Sequence, residues 1–236
     1  MIDGRTVHVQ LVVAGECIEG AVNLPAGPTP RHVILPTLQG ITDAIVDVAE
    51  RQLSGSGERV TCKKGCDACC RQMVPLGAAE AFYLEQTIEA MDGRAAVGVK
   101  RRFERVMGEL ERVGLLERLR KREGLNPEQL SQLDRDYFAA QIACPFLVDR
   151  SCSIHARRPL ACREFLVTSP ARHCRDPDSG KVREIRMPAK VSKALWETGG
   201  SGGWLPLALA REFAATHQED SIDDAAAAVQ DVLENL

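Results

Sequence analysis

A chain of 236 residues, 44% hydrophobic and 27% charged, has the make-up of an ordinary globular protein and is long enough for one main core with a small appendage. Its 30 basic and 33 acidic residues nearly balance, which leaves no polyelectrolyte field for binding nucleic acid. The start, Met1-Ile2-Asp3-Gly4-Arg5, has neither the basic nor the apolar region of a leader, and no apolar run reaches the roughly 18 residues of a membrane span, so a cytoplasmic location without a membrane partner is expected.

Val7, Val9, Leu11 and Val13 alternate with polar neighbours and predict a strand. Cys17-Ile18-Glu19-Gly20-Ala21-Val22 reads as its hairpin partner, with Cys17 packed as a small buried hydrophobe. Past Pro36, Leu38, Ile41, Ile45 and Val48 recur at helical spacing to about Leu53, where Ser54-Gly55-Ser56-Gly57 stops the helix and forms a flexible link. Helices over 78–91 and 95–123 follow, the second striped by Phe103, Val106, Leu110, Val113, Leu116 and Leu119 and closed by Gly124. Its basic runs, Lys100-Arg101-Arg102 and Arg118-Leu119-Arg120-Lys121-Arg122, are interleaved with glutamates and read as a solvated face rather than a surface for an anionic partner.

Asn126-Pro127 opens a further helix carrying Leu130, Leu133, Tyr137, Phe138 and Ile142. After a glycine-rich tract at 199–203, an apolar helix is predicted over 205–216, and a last helix is capped by Ser221 in a Ser-x-x-Asp pattern ending at Asp224. The expected fold is mainly α (α+β), a helical domain stapled by a cysteine-ligated metal centre with a short N-terminal β-hairpin. Residues 1–55 would form the hairpin and a helix packed on the main domain, and residues 56–236 the cysteine-cluster helical domain.

The cysteines carry the chemistry. Four of the nine fall in Cys62-x3-Cys66-x2-Cys69-Cys70; Cys144, Cys152, Cys162 and Cys174 answer from downstream, leaving Cys17 as the outsider. In a reducing compartment such density reads as metal binding, because thiolates are soft anionic ligands and a Cys-x-x-Cys gap lets two sulfurs meet one ion. Neighbouring side chains usually diverge, so Cys69 and Cys70 either serve two sites or divide into one ligand and one thiol that packs, hydrogen-bonds or is reactive. The spacing of Cys62, Cys66 and Cys69 also copies that of radical S-adenosylmethionine enzymes, yet helices rather than a βα series follow it.

The chain resembles the YkgJ-type cysteine-cluster family, whose signature is CxxCxxCC and whose described role is chelation of zinc or iron. The resemblance rests on residues 62–70, on Cys144-Pro145-Phe146-Leu147, on Cys152-Ser153-Ile154-His155-Ala156-Arg157-Arg158-Pro159, on Cys162-Arg163-Glu164-Phe165 and on His173-Cys174. The first gap is three residues where the family has two, and His155 stands at an aromatic position; His155 is then either a nitrogen ligand or an outer hydrogen-bond donor.

The expected ligand pool is Cys62, Cys66, Cys69, Cys70, Cys144, Cys152, Cys162 and Cys174. Sulfur-rich donors with few histidines favour an iron–sulfur cluster over Zn2+ or a single Fe ion, with Lys63, Lys64, Arg157, Arg158 and Arg163 offsetting thiolate charge. Such a centre would be structural or would pass electrons, and its removal should unfold the domain. By resemblance to flagellin lysine methylases, an S-adenosylmethionine-dependent enzyme acting on a protein or peptide is the alternative, although no Gly-x-Gly-x-x-Gly loop is present. A third reading is a metal-stabilised interaction module for a protein partner.

Overall fold

The computed structural model describes residues 4–63, 65–198 and 203–236; the start of the N-terminal segment, Lys64 and residues 199–202 of the glycine-rich tract lie outside the described residues. The alternating segment forms β1 (Gly4–Val13), which pairs antiparallel with β2 (Glu16–Pro25). The turn between them places Ala14 (φ 50°) and Gly15 (φ 83°) in the left-handed region, the geometry that matches strand twist in a tight hairpin. Val9 and Val13 are buried, and Ile18 packs behind them. Cys17 follows the opposite parity: it pairs with Val12 on the outer face, is exposed, and lies 3.4 Å from Glu19 Oε1. The expected burial of Cys17 is therefore corrected, since Ile18 takes the inward position and period-two geometry sends its neighbour out.

After β3 (Thr29–Pro30), α1 (Leu35–Gly55) buries Leu35, Leu38, Ile41, Ile45 and Val48 along one stripe. The helix continues into the Gly/Ser tract as far as Gly55, and Gly57 (φ 80°) turns the chain away just after it. Next come β4 (Pro75–Gly77), α2 (Ala78–Glu89) and α3 (Gly93–Arg112), the last capped by Asp92, which accepts bonds from the amides of Arg94 and Ala95.

The single helix predicted over 95–123 is broken. Gly114 (φ 74°) ends α3 with the Leu115 amide donating to the Leu110 carbonyl, a left-handed helix stop, and α4 (Leu116–Arg120) turns away. Val113 and Leu116 fit one apolar stripe, which hid the break. A Cβ on Gly114 would meet nothing within 4 Å, so Gly114→Ala should cost only the backbone penalty, about 1 kcal/mol, visible as a lower thermal midpoint.

Reciprocal bonds between Asn126 and Gln129 cap α5 (Pro127–Ala139). Strands β5 (Leu147–Val148) and β6 (Ser151–Cys152) form a tight hairpin, followed by α6 (Leu160–Glu164) and α7 (Val191–Thr198). The apolar segment over 205–216 is only partly helical: β7 (Trp204–Pro206) pairs with β4 before α8 (Ala210–Thr216) begins. Ser221 belongs to β8 (Ser221–Ile222), paired with β3, and the cap of α9 (Ala225–Glu234) is Asp224, not Ser221.

The largest apolar core joins Val9, Leu24 and Ile41 to Leu160, Val191, Ala225 and Val229, so residues on both sides of the expected boundary at 55/56 share it. A second core surrounds Leu84, Phe103 and Phe146, and a third joins Leu110 and Leu119 to Leu133 and Tyr137. The arginines of the basic runs act as staples. Arg102 donates to the Pro145 carbonyl (2.6 Å), Arg118 reaches Asp136 (2.7 Å), Arg120 forks onto Glu212 and Arg122 donates to the Trp204 carbonyl. Among the described residues, no helix is long and apolar enough to cross a membrane.

Candidate metal centre

The two cysteine blocks meet in space. Residues 68–71 form a 3-10 turn that carries Cys69 and Cys70, and the amide of Cys144 donates to the Cys70 carbonyl at 2.7 Å. The β5–β6 hairpin folds Cys152 back beside Cys144, where both pack against the core that holds Phe146. On the other flank, Thr61 donates through its amide to the Val167 carbonyl (3.0 Å) and through its hydroxyl to that of Ser169, placing Cys62 beside the turn at Ala171–Arg175. That turn carries Cys174, buried with Ala68 and Val167 and flanked by Cys66.

Electrostatic proximity defines the neighbourhood. Cys69 lies within reach of Cys144, Cys152 and Cys162 on one side and of Cys62 and Cys174 on the other. Burial pushes the thiols of Cys62, Cys152 and Cys174 up, that of Cys144 to about 12, and that of Cys162 far above its ordinary value. Cys69 moves the other way, down to about 7, chiefly because the Cys70 thiol donates a hydrogen bond to its sulfur, with help from the Arg158 charge. Cys70 is held protonated by the same bond. Of the alternatives left open by the sequence, this fits one in which Cys69 is the ligand candidate and Cys70 its hydrogen-bonded neighbour.

Among the described residues, no three His, Cys, Asp or Glu side chains form a ready chelate. The donor set fits a thiophilic metal in its chemistry and in the gathering of both cysteine blocks. The histidines of the second block are engaged elsewhere: His155 Nε2 lies 3.0 Å from Arg158 Nη1, and His173 Nδ1 lies 3.2 Å from the Lys181 carbonyl.

The residues that fix Cys162 were not visible in the sequence. Arg163 grips both carboxylate oxygens of Asp43 (2.7 and 2.6 Å) and donates to the carbonyls of Ala156 and Arg158. Glu164 accepts from the amide and hydroxyl of Ser192, capping α7. Glu80 accepts from the amides of Gly77 (2.8 Å) and Leu160 (2.9 Å), tying the start of α2 to the start of α6. Gln39 completes the cradle by donating to the carbonyls of Arg157 and Arg158. The motif around Cys162 is therefore as much a fold-locking device as a ligand segment.

The family model described as "CxxCxxCC: Putative zinc- or iron-chelating domain" matches residues 61–186, more than half of the chain. The chain belongs to this family. The match begins beside Cys62 and ends beyond Cys174, so it takes in both cysteine blocks and the Arg163–Glu164 lock. No curated protein and no solved structure matches the chain.

Desolvation raises the buried Glu80 carboxyl from an ordinary 4.5 to about 7, against the pull of its two amide partners. The folded protein then keeps a proton that the unfolded chain releases above 4.5. Stability from this group is full below 4.5 and is lost as the pH rises through about 7. Urea unfolding across this window should show the wild type losing as much as roughly 3 kcal/mol relative to Glu80→Gln as the pH rises, since glutamine cannot titrate. A pH-independent difference would mean that the carboxyl stays ionised in the folded protein.

Proposed function

We propose that the chain is a thiolate metal-binding protein whose cysteines hold an iron–sulfur cluster, with Cys69 at the middle of the ligand pool. The observation that carries this reading is the meeting of two remote blocks: Cys144 and Cys152 lie against the turn of Cys69 and Cys70, while Cys62, Cys66 and Cys174 gather on its other flank. A neighbourhood continuous through Cys69 favours one centre with surplus thiols over two separate sites. Sulfur-only donors, with both nearby histidines engaged by other partners, favour iron–sulfur over zinc.

When bound, such a cluster supplies one-electron chemistry; the protein's own part is to bring four chain segments to one place, with Cys62 and Cys69 on the exposed side and Cys174 buried. Cys69, the thiol closest to ionising, is the natural first ligand, and its neighbours give up protons as the ion is bound. The test is anaerobic purification without a metal-chelating tag, then assay of iron, zinc and acid-labile sulfide with a visible spectrum. Brown protein with matched iron and sulfide, lost in Cys69→Ser, is expected. Colourless protein holding zinc would overturn the cluster, and protein holding neither metal would overturn metal binding itself.

A further inference from the structure

Asp67 stands beside the cysteines with its carboxylate buried, and three arginines converge on it from three segments. Arg71 comes from the turn of Cys69 and Cys70, Arg150 from the β5–β6 hairpin and Arg175 from the turn of Cys174, at 3.5, 3.8 and 3.6 Å. Each follows or precedes a cysteine by one or two residues, so the folding that gathers the thiols also gathers these cations. One carboxylate facing three guanidinium groups leaves a local excess of two positive charges.

These separations are too long for the forked hydrogen bonds that arginine makes to a carboxylate at about 2.8 Å. Arg71 uses one N–H on the Asp67 carbonyl (3.0 Å); among the described residues, Arg150 and Arg175 make no side-chain hydrogen bond at all. Their side chains are 65% and 64% exposed, so their donors are available to a ligand. Asp67 holds the three forks pointed at one place without consuming them.

Beside them lies a cleft of about 220 Å³ lined by Asp67, Ala68, Arg71, Phe138, Gln141 and Arg175. It is smaller than the sites that enclose drug-sized ligands, which selects for a small group. Gln141 (φ 52°), Asp149 (φ 46°) and Arg150 (φ 61°) are three of the four non-glycine residues with positive φ among the described residues. Asp149 and Arg150 are the two turn residues of the β5–β6 hairpin and Gln141 follows the end of α5, positions where left-handed backbone is ordinary; the hairpin turn is what carries Arg150 to Asp67.

We propose that Arg71, Arg150 and Arg175, arrayed around Asp67, form a binding site for a small oxyanion, a phosphate or carboxylate group, beside the cysteine centre. Planar guanidinium forks match the paired oxygens of either group, which a single lysine would not. The site is independent of which metal the cysteines hold, and its test reads a different property.

The full chain, as isolated, is titrated with inorganic phosphate and separately with succinate at constant ionic strength held by sodium chloride, with heat of binding as the readout. Saturable binding of at least one anion is expected, weakened tenfold or more in Arg175→Ala and in Arg150→Ala, both exposed positions where truncation leaves the core intact, and unchanged in Arg94→Ala, an exposed arginine on α3. Phosphate saturating more tightly assigns a phosphoryl ligand, and succinate a carboxylate. Absence of saturation by both, or equal binding by wild type and the variants of Arg175, which lines the cleft, and Arg150, which adjoins it through Asp67, overturns the site; the latter result would place the anion on the cysteine-bound metal instead.

Discussion

Replacing Arg163 by alanine is expected to cost about 3 kcal/mol of folding stability, whereas replacing Arg157, six residues away, should change it by less than about 0.5 kcal/mol. Both lie in the same basic stretch of the cysteine motif, and composition alone gives them the same role. The Arg163 side chain is only 6% exposed; it bonds both oxygens of Asp43 and the carbonyls of Ala156 (2.6 Å) and Arg158 (3.1 Å). Asp43 is 54% exposed and regains water when its partner is lost, so the charge pair itself contributes modestly. The larger cost comes from the two carbonyls left short of a donor and from the buried stem of the side chain. Arg157 is exposed, and nothing in its surroundings depends on it. Urea unfolding midpoints of the two variants measure the contrast. Arg163→Lys should recover only part of the loss, because one ammonium cannot fork onto a carboxylate and also reach two carbonyls. Equal midpoints for Arg163→Ala and wild type would show that Gln39 alone holds the 156–158 loop.

That contrast also marks how far the sequence is legible. Periodicity reports faces: alternation from Val7 to Val13 yielded the hairpin, and the apolar stripes of α1, α2 and α5 came out within a few residues of their ends, while that of α3 was right at its start and ran eleven residues past its end. The pairs β3–β8 and β4–β7 are two or three residues long and join segments more than 100 positions apart, too short for any period to register. Gly114 was hidden by the apolar residues on either side of it, and Cys17 by the assumption that a cysteine in a strand turns inward. In the site, cysteine density and spacing identified a candidate ligand pool; Arg163 was read as a charge offsetting the thiolates rather than as a staple to Asp43, and Glu80 was given no role. The available signal for Glu80 was its place three residues after Gly77, at the head of an apolar stripe, where a carboxylate reaches back to the helix start. Whether such a group is buried depends on what a remote segment lays over it, here the amide of Leu160.

Removing the metal from the proposed centre should melt the cysteine region and spare the helices. The sequence suggested that ligation holds the whole domain, but the distribution of apolar contacts argues for a local effect. The largest core has twenty buried residues and contains no cysteine, whereas the cluster around Cys174 has three: Ala68, Val167 and Cys174. Among the described residues, the segments 58–72 and 168–186 hold no element longer than five residues. A few backbone bonds join them to the rest, such as Thr61 to Val167, Cys144 to Cys70 and Ile185 to Leu166, while Thr168 to Arg183 closes the second segment on itself. Such a region buries too little apolar area to offset the entropy of ordering it, so ligation would have to supply the difference. Treating metal-loaded protein with a chelator under anaerobic, reducing conditions should therefore raise amide hydrogen exchange in these segments by a hundredfold or more. Amides of α1 and α9 should slow or quicken by less than threefold, because their protection depends chiefly on the core that contains no cysteine. Uniform deprotection with loss of the helical signal would restore the view that the centre holds the entire fold. Unchanged exchange in metal-depleted protein would show that the Thr61, Val167 and Arg183 bonds suffice alone, and the cysteines would then be free to exchange their metal without unfolding the chain that carries them.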